Sequence, residues 1–203
     1  MKKPIIFLLF VLNCLLVACS EADSKEVEKE NLVVDYSLDY PRYTTQTELE
    51  QASDLIVEGN VLDSKVESVN ISLPNDSNDL RENPTLGTEK EVREEETEFL
   101  YTISQVKVAQ VYKGDNVQIG DVVEVKQLSG GSDGVTYTEE NSNPIKPKNE
   151  YIMFLATFPN EIPYSLVNPE QGSYQKENGK YKAHQNNKIK LDVEKLKKIK
   201  TQK

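Results

Sequence analysis

From Leu55 onward the apolar residues recur at every second position, and that alternation decides most of what the chain can fold into. Leu55, Val57, Gly59 and Val61 share one side while Glu58 and Asn60 take the other, the period of a strand with one buried face. Gly59 on the apolar side predicts a close backbone approach or a kink, as where a strand coils round a small barrel. A second strand is expected from Phe99 to about Tyr112. Its apolar phase shifts from Phe99, Tyr101 and Ile103 to Val106 and Val108, which places a β-bulge at Ser104-Gln105. Lys113-Gly114-Asp115 and Gly120-Asp121 are turns before a third strand over Val122 to Leu128, and Gly130, Gly131 and Asp133-Gly134 lead into a hairpin strand over Val135 to Thr138. Tyr151 to Phe158 is apolar on both faces and reads as a central strand covered on each side. Shorter strands are expected over Pro163 to Asn168, Ser173 to Gln175 and Lys180 to Ala183, the last two joined at Asn178-Gly179.

Two helices frame this pattern. Thr45 precedes Glu48 by three residues, the capping-box spacing, with Leu49, Ala52 and Leu55 following on one face before Ser53-Asp54 ends the turn. A C-terminal helix over 192–201 begins at Asp192 and lines up Val193, Leu196 and Ile199 as one stripe. The expectation is a mainly β fold (β or α+β): a single β-rich domain over 45–203 with a short N-terminal helix and a C-terminal helix. With 37% hydrophobic residues, the 203-residue chain has room for one modest core or two small ones.

Charge is distributed unevenly. The net charge of −10 argues against nucleic acid as a partner, because neutralising phosphates takes a basic face. Residues 21–100 carry 22 acids against 7 bases, whereas residues 101–203 carry 12 against 15. The segment 70–98, with Pro74, Pro84 and a Glu94-Glu95-Glu96 run, is expected to be a solvated acidic insertion between the first two strands. A calcium loop there is the weaker reading: Asp76-Ser77-Asn78 opens like one, but Leu80 takes the next ligand position and no Gly follows. Lys188 to Lys203 holds seven lysines against Asp192 and Glu194, and this basic helix either caps the barrel or contacts wall polyanions or lipid headgroups.

The amino terminus speaks to location. Lys2 and Lys3 precede an apolar run from Ile5 to Val17, the length of a secretory signal core and too short to span a membrane comfortably. The run ends in Leu16-Val17-Ala18-Cys19, which resembles the lipobox of bacterial lipoproteins. That resemblance implies that residues 1–18 are a lipoprotein signal peptide, cleaved before Cys19, and that Cys19 carries an S-diacylglycerol thioether and an N-palmitoyl group. A thiolate suits this role because it is the best side-chain nucleophile for taking up a lipid group. Two acyl chains of about 16 carbons, at roughly 0.8 kcal/mol per methylene, give an anchor on the order of 20 kcal/mol. Cys14 would leave with the signal, so the mature chain would hold neither a disulfide nor a free thiol. It would carry 22 basic and 34 acidic residues, a net charge of −12 that an anionic leaflet repels, so the lipid must do the holding. Residues 19–44 then read as the lipidated Cys followed by an acidic tether: Ser20 to Glu30 is dominated by charge, with nothing apolar beyond Ala22 and Val27. Leu32, Val33, Val34, Tyr36 and Tyr40 are less tether-like, and form a short strand or dock on the domain.

A second resemblance lies within the domain. Asp54 to Val61, Tyr112-Lys113-Gly114-Asp115, Gly120-Asp121-Val122-Val123 and Gly130-Gly131 together look like an uncharacterised group of lipoproteins from Gram-positive bacteria, over roughly Ser53 to Gly172. The strand order of that group resembles the small antiparallel OB-like barrels of the netrin and metalloprotease-inhibitor type, which implies five or six strands with flanking helices. The disulfides and the cysteine terminus of animal inhibitors of that shape are missing, so inhibitor activity is not implied.

Sites for chemistry are few. His184 is the only histidine and would need a serine and a carboxylate to serve as the base of a weak hydrolase; a solvated surface histidine is the stronger reading. One histidine and one lipidated cysteine cannot build a zinc site, and Gly130-Gly131-Ser132-Asp133-Gly134 lacks the Gly-Lys-Ser/Thr of a phosphate loop. No catalytic residue, metal or cofactor is therefore expected. The expectation is a monomer, anchored by lipid at the extracytoplasmic face of the cell membrane, that acts as a non-catalytic binding module for a surface protein or polymer. A purely structural envelope component is the third class. Ten tyrosines, all beyond residue 35, favour a contact surface. Replacing Cys19 by Ala is expected to abolish incorporation of labelled palmitate while Cys14→Ala leaves it intact; undiminished label in the Cys19 variant would rule out the anchor.

Overall fold

A computed structural model of the protein describes residues 32–70, 98–132, 134–159 and 161–201. The expected signal segment, Cys19, the charged stretch before residue 32, the Asp76-Ser77-Asn78 motif and most of the acidic insertion lie outside the described residues. The elements run β1 (Leu32–Tyr36), α1 (Gln46–Ala52), β2 (Leu55–Asn70), β3 (Glu98–Lys113), β4 (Val122–Gln127), β5 (Gly130–Ser132), β6 (Val135–Glu139), β7 (Glu150–Ala156), β8 (Tyr164–Leu166), β9 (Ser173–Glu177), β10 (Lys180–Ala183) and α2 (Val193–Thr201). The fold is mainly β, as the alternation predicts.

Five of these strands make a closed ring. β2 pairs antiparallel with β3 and with β7, β3 with β4, and β8 joins β4 in parallel and β7 antiparallel, so the order β2-β3-β4-β8-β7 returns to β2. This is the strand order of an OB-type barrel. The ring is antiparallel except at β4–β8, where two residue pairs, Val125 with Tyr164 and Lys126 with Ser165, complete it. β9 and β10 form a hairpin leading off β7, turned at Asn178 and Gly179, both at positive φ as a two-residue hairpin requires. A second sheet, in the order β1-β6-β5, stands beside the barrel, with β1 parallel to β6.

Two apolar clusters lie on the two sides of β2 and β7. Leu55, Val57, Val61, Val106, Val125, Tyr151, Met153 and Leu155 fill the barrel. Ile56, Ile152 and Phe154 point the other way and meet Leu49 of α1, Tyr174 of β9 and Leu196 of α2. β7 is thus the doubly covered strand that its unbroken apolar run predicts. Gly59 is required by close approach: a Cβ there would sit 2.6 Å from Val106 Cγ1 and 2.8 Å from the Lys107 carbonyl oxygen.

No bulge lies on β3 at Ser104-Gln105: β3 carries its extra residues against β2 further on, at Ala109 and Tyr112, and opposite the expected place the extra residue is on β2. Val61 pairs with Val106 and Asp63 with Gln105, which leaves Leu62 as the extra residue on β2, while β3 pairs with β4 unbroken from Thr102 to Lys107. The apparent phase shift in β3 has another cause. Ser104 occupies an inward position in line with Val106 and Val108, and its hydroxyl is satisfied by Ser64 Oγ at 2.8 Å, while Ile103 on the outward side is also fully buried. Both faces of β3 are covered here, so hydrophobicity does not report the phase.

The helices hold to their signals, α1 less completely. Thr45 Oγ1 accepts the Glu48 amide at 3.2 Å and the Glu48 carboxylate reaches back to the Thr44 amide at 2.7 Å. Of the expected α1 face only Leu49 is buried with its cluster, since Ala52 is exposed and Leu55 already belongs to the barrel interior. In α2, Leu196 is fully buried with Val193 and Ile199 packed beside it, and Asp192 Oδ1 caps the Lys195 amide at 3.1 Å. The Gln46 side chain bonds both backbone groups of Asp192, fastening the two helices together.

Residues 32–44 belong to the fold rather than to a tether. β1 pairs along its length with β6, Arg42 forms an ion pair with Glu170, and Tyr43 exchanges two backbone hydrogen bonds with the Gln171 amide. Asn168 holds the loop in place by donating to the Pro41 carbonyl and accepting from the Glu170 and Gln171 amides. Among the described residues the domain therefore includes Leu32, thirteen residues before Thr45, where the capping box placed its start. A chain beginning at Thr45 is expected to unfold at lower urea than one beginning at Leu32, with about 2 to 4 kcal/mol of stability lost at roughly 1 kcal/mol per hydrogen bond; equal midpoints would return this segment to the tether.

Candidate functional site

Closure of the barrel by β8 creates a depression on its outer side. Along β4, Val123 and Val125 point inward, so Lys126 points outward, as does Ser165, its partner on β8. Tyr101, two residues before Ile103 on β3, is on the same outer face. Over these strands lie the β7–β8 loop with Phe158 and Ile162, the segment after β8 with Val167 and Pro169, Tyr40 from beyond β1, and Glu139 at the end of β6. Together they line a pocket of about 350 Å³, within the range of small-molecule sites.

Its polar groups are held under unusual conditions. Lys126 is only 5% exposed; its ammonium donates to the Pro163 carbonyl at 2.8 Å, sits 3.5 Å from the centre of the Phe158 ring and lies 5.9 Å from that of Tyr101. Burial lowers its pKa from 10.5 to about 8. Glu139 is 6% exposed. Burial pushes its carboxyl above the usual range, and a hydrogen bond with the Tyr40 hydroxyl only partly offsets this. Its Oε1 is closed to solvent and has no hydrogen-bond partner among the described residues. The phenols of Tyr40 and Tyr101 are both pushed up, first by burial and then by the nearby Glu139. Phe158, 39% exposed, forms the rim.

A second polar cluster, on the outer side of β2, β7 and β9, is already satisfied. Glu58 accepts from the Tyr112 hydroxyl at 2.6 Å, Tyr181 donates to Glu150 at 3.0 Å, and Lys176 pairs with Glu150 and, at 3.6 Å, with Glu58. Burial pushes the Glu58 carboxyl up, but hydrogen bonds from both tyrosines and the Lys176 charge outweigh it and leave the net shift downward. Each carboxylate has its donors, and the cluster ties the β9–β10 hairpin to the barrel.

The residues singled out by sequence fall elsewhere. His184, just beyond β10, is half-buried rather than solvated. Its Nδ1 is closed to solvent without a hydrogen-bond partner among the described residues, so no carboxylate orients the ring from that nitrogen. Gly130-Gly131-Ser132 forms β5, an edge strand of the small sheet. The basic helix caps the outer cluster: Lys195 bonds Thr47 at 2.6 Å and pairs with Glu50 at 3.2 Å, and Lys197 pairs with Glu194 at 2.6 Å. Among the described residues there is no group of three or more His, Cys, Asp or Glu fit to hold a metal ion. The pocket residues Tyr40, Tyr101, Lys126, Glu139 and Phe158 escaped sequence reasoning because they come from five separate segments with no spacing to join them.

Charging a lysine in this pocket costs the fold free energy. The folded pKa lies below the unfolded one, so the unfolded chain binds more protons between about pH 8 and 10.5 and stability rises with pH across that window. Lys126→Met is expected to raise the thermal midpoint at neutral pH by about 5 °C. The gap to wild type should close between pH 8 and 10.5; a gap independent of pH would show that the Lys126 pKa is the same in the folded and unfolded chain.

Comparison of the chain with models of known protein families and with curated proteins gives no match.

Proposed function

We propose that the protein is a lipoprotein held at the outer face of a cell membrane through Cys19, and that its barrel is a binding module whose ligand site is the pocket over β3 and β4. The observation that carries the binding reading is the pocket itself, where aromatic walls surround two charged side chains that the fold keeps out of water. Burial of such groups is costly, and concave apolar sites with a few convergent polar groups are where ligands bind. The position agrees with the general habit of OB barrels, which bind on the outer face of their second and third strands beside the loop joining the fourth and fifth. Here those strands are β3 and β4 and that loop carries Phe158 and Ile162. Support for the anchor comes from the Leu16-Val17-Ala18-Cys19 sequence and from Lys2, Lys3 and the apolar run before it. A surface location fits a site that reads small or extended molecules from outside the cell.

The test uses a simple apolar probe. Titrated with 2-phenylethanol, the full-length protein is expected to show saturable NMR shifts at Tyr101, Phe158 and Val167, and Tyr101→Ala should weaken them several-fold. Shifts confined to another surface, or none, would remove the pocket as the binding site.

A further inference from the structure

Lys126 and Glu139 carry opposite charges, line one pocket, and do not pair with each other. No ion pair joins them among the described residues, and burial rather than a neighbouring acid governs the titration of Lys126. Lys126 directs one of its three N–H donors to Pro163, and Glu139, which also lines the pocket, has the Tyr40 hydroxyl but no cation as partner among the described residues. Neither side chain thus has a counter-charge in the pocket.

We propose that the pocket takes a zwitterionic guest with an apolar body, an amino acid or short peptide, whose carboxylate pairs with Lys126 and whose ammonium pairs with Glu139. This inference rests on the pocket being the ligand site. A simple anion would satisfy Lys126 but leave the Glu139 carboxylate unpaired, and a simple cation would do the reverse. A neutral polyol could donate to Glu139 but would bring Lys126 no negative charge. Only a molecule carrying both signs relieves both groups, and the walls of Tyr40, Tyr101, Leu128 and Val167 provide apolar surface for its side chain. A volume of about 350 Å³ suits one or two residues rather than a folded partner.

Calorimetric titration of the full-length protein with L-leucine, L-phenylalanine and L-leucyl-L-phenylalanine tests this, each compared with its N-acetylated and its C-amidated form. At least one zwitterion is expected to bind one to one, with either blocked form weaker by about 10- to 100-fold. Glu139→Gln should erase the penalty for acetylation and Lys126→Met the penalty for amidation, in variants whose thermal melts remain cooperative. Blocked forms that bind as well as the parent would overturn the proposal, as would no binding of any zwitterion at about 10 mM. If 2-phenylethanol still saturates the pocket in that case, the zwitterion alone is wrong; if it too fails to bind, the pocket reading falls with it.

Discussion

β7 is the strand on which the structure depends. Tyr151, Met153 and Leu155 are buried in the barrel, while Ile152 and Phe154 are fully buried under the helices and β9. One edge pairs with β2 over six residues. The other edge is divided, with Tyr151 to Met153 pairing with β9 and Leu155 and Ala156 pairing with β8. The division is managed by the chain between β8 and β9: the Val167 amide donates to the Phe154 carbonyl and the Phe154 amide to the Gly172 carbonyl, so Phe154 bridges the two partners. At Gly172 a Cβ would lie 2.7 Å from the Asn168 carbonyl oxygen, which is why this reversal needs a glycine. Both cores and both extensions of the sheet meet at one strand, so a substitution that shifts β7 would disturb them together.

The same arrangement produces the pocket. β8 is only three residues long and must reach both β4 and β7 to close the ring. A strand that short leaves its flanking segments to run over the outside of the barrel, and these supply Phe158, Ile162, Val167 and Pro169. The small sheet completes the enclosure, because β6 ends at Glu139 and the chain after β1 brings Tyr40 to it. The 32–44 segment is therefore part of the site as well as of the fold. Its attachment to the 168–171 loop through Asn168, Glu170 and Gln171 fixes one wall of the pocket relative to the barrel.

Legibility in the sequence followed burial. Where a strand has one covered face, as in β2 near Leu55 to Val61, or where both faces are plainly apolar, as in β7, the residues announce their environment. The turn at Asn178-Gly179, the cap at Thr45 and the stripe of α2 were equally readable because each rests on local backbone chemistry. The bulge was not, since a hydroxyl pair between Ser64 and Ser104 hides an inward position behind a polar residue. β1 was half legible: Leu32, Val33, Val34 and Tyr36 read as a short strand or a docked segment, but at a sheet edge Leu32 and Val33 remain exposed and the charges around them look like linker. The closing strand β8 could be listed as a short strand, but nothing in Tyr164-Ser165-Leu166 states that its neighbours are β4 on one side and β7 on the other.

The pocket was the least readable feature, for a reason that also bears on its role. Lys126 obeys the alternation of β4: it sits at an outward position, where a lysine ordinarily reaches water. Tertiary structure then buries that position under Phe158 and the β7–β8 loop, and sequence periodicity records which way a side chain points but not what covers it. A chain selected for stability alone would place an aliphatic residue there, since a lysine so enclosed must either lose its proton or retain a charge with one backbone carbonyl and two aromatic rings for company. Glu139 presents the same problem with opposite sign, and the two could relieve each other only by meeting. The fold instead places both on the lining of one pocket without an ion pair between them, and a guest carrying both charges would supply what each lacks.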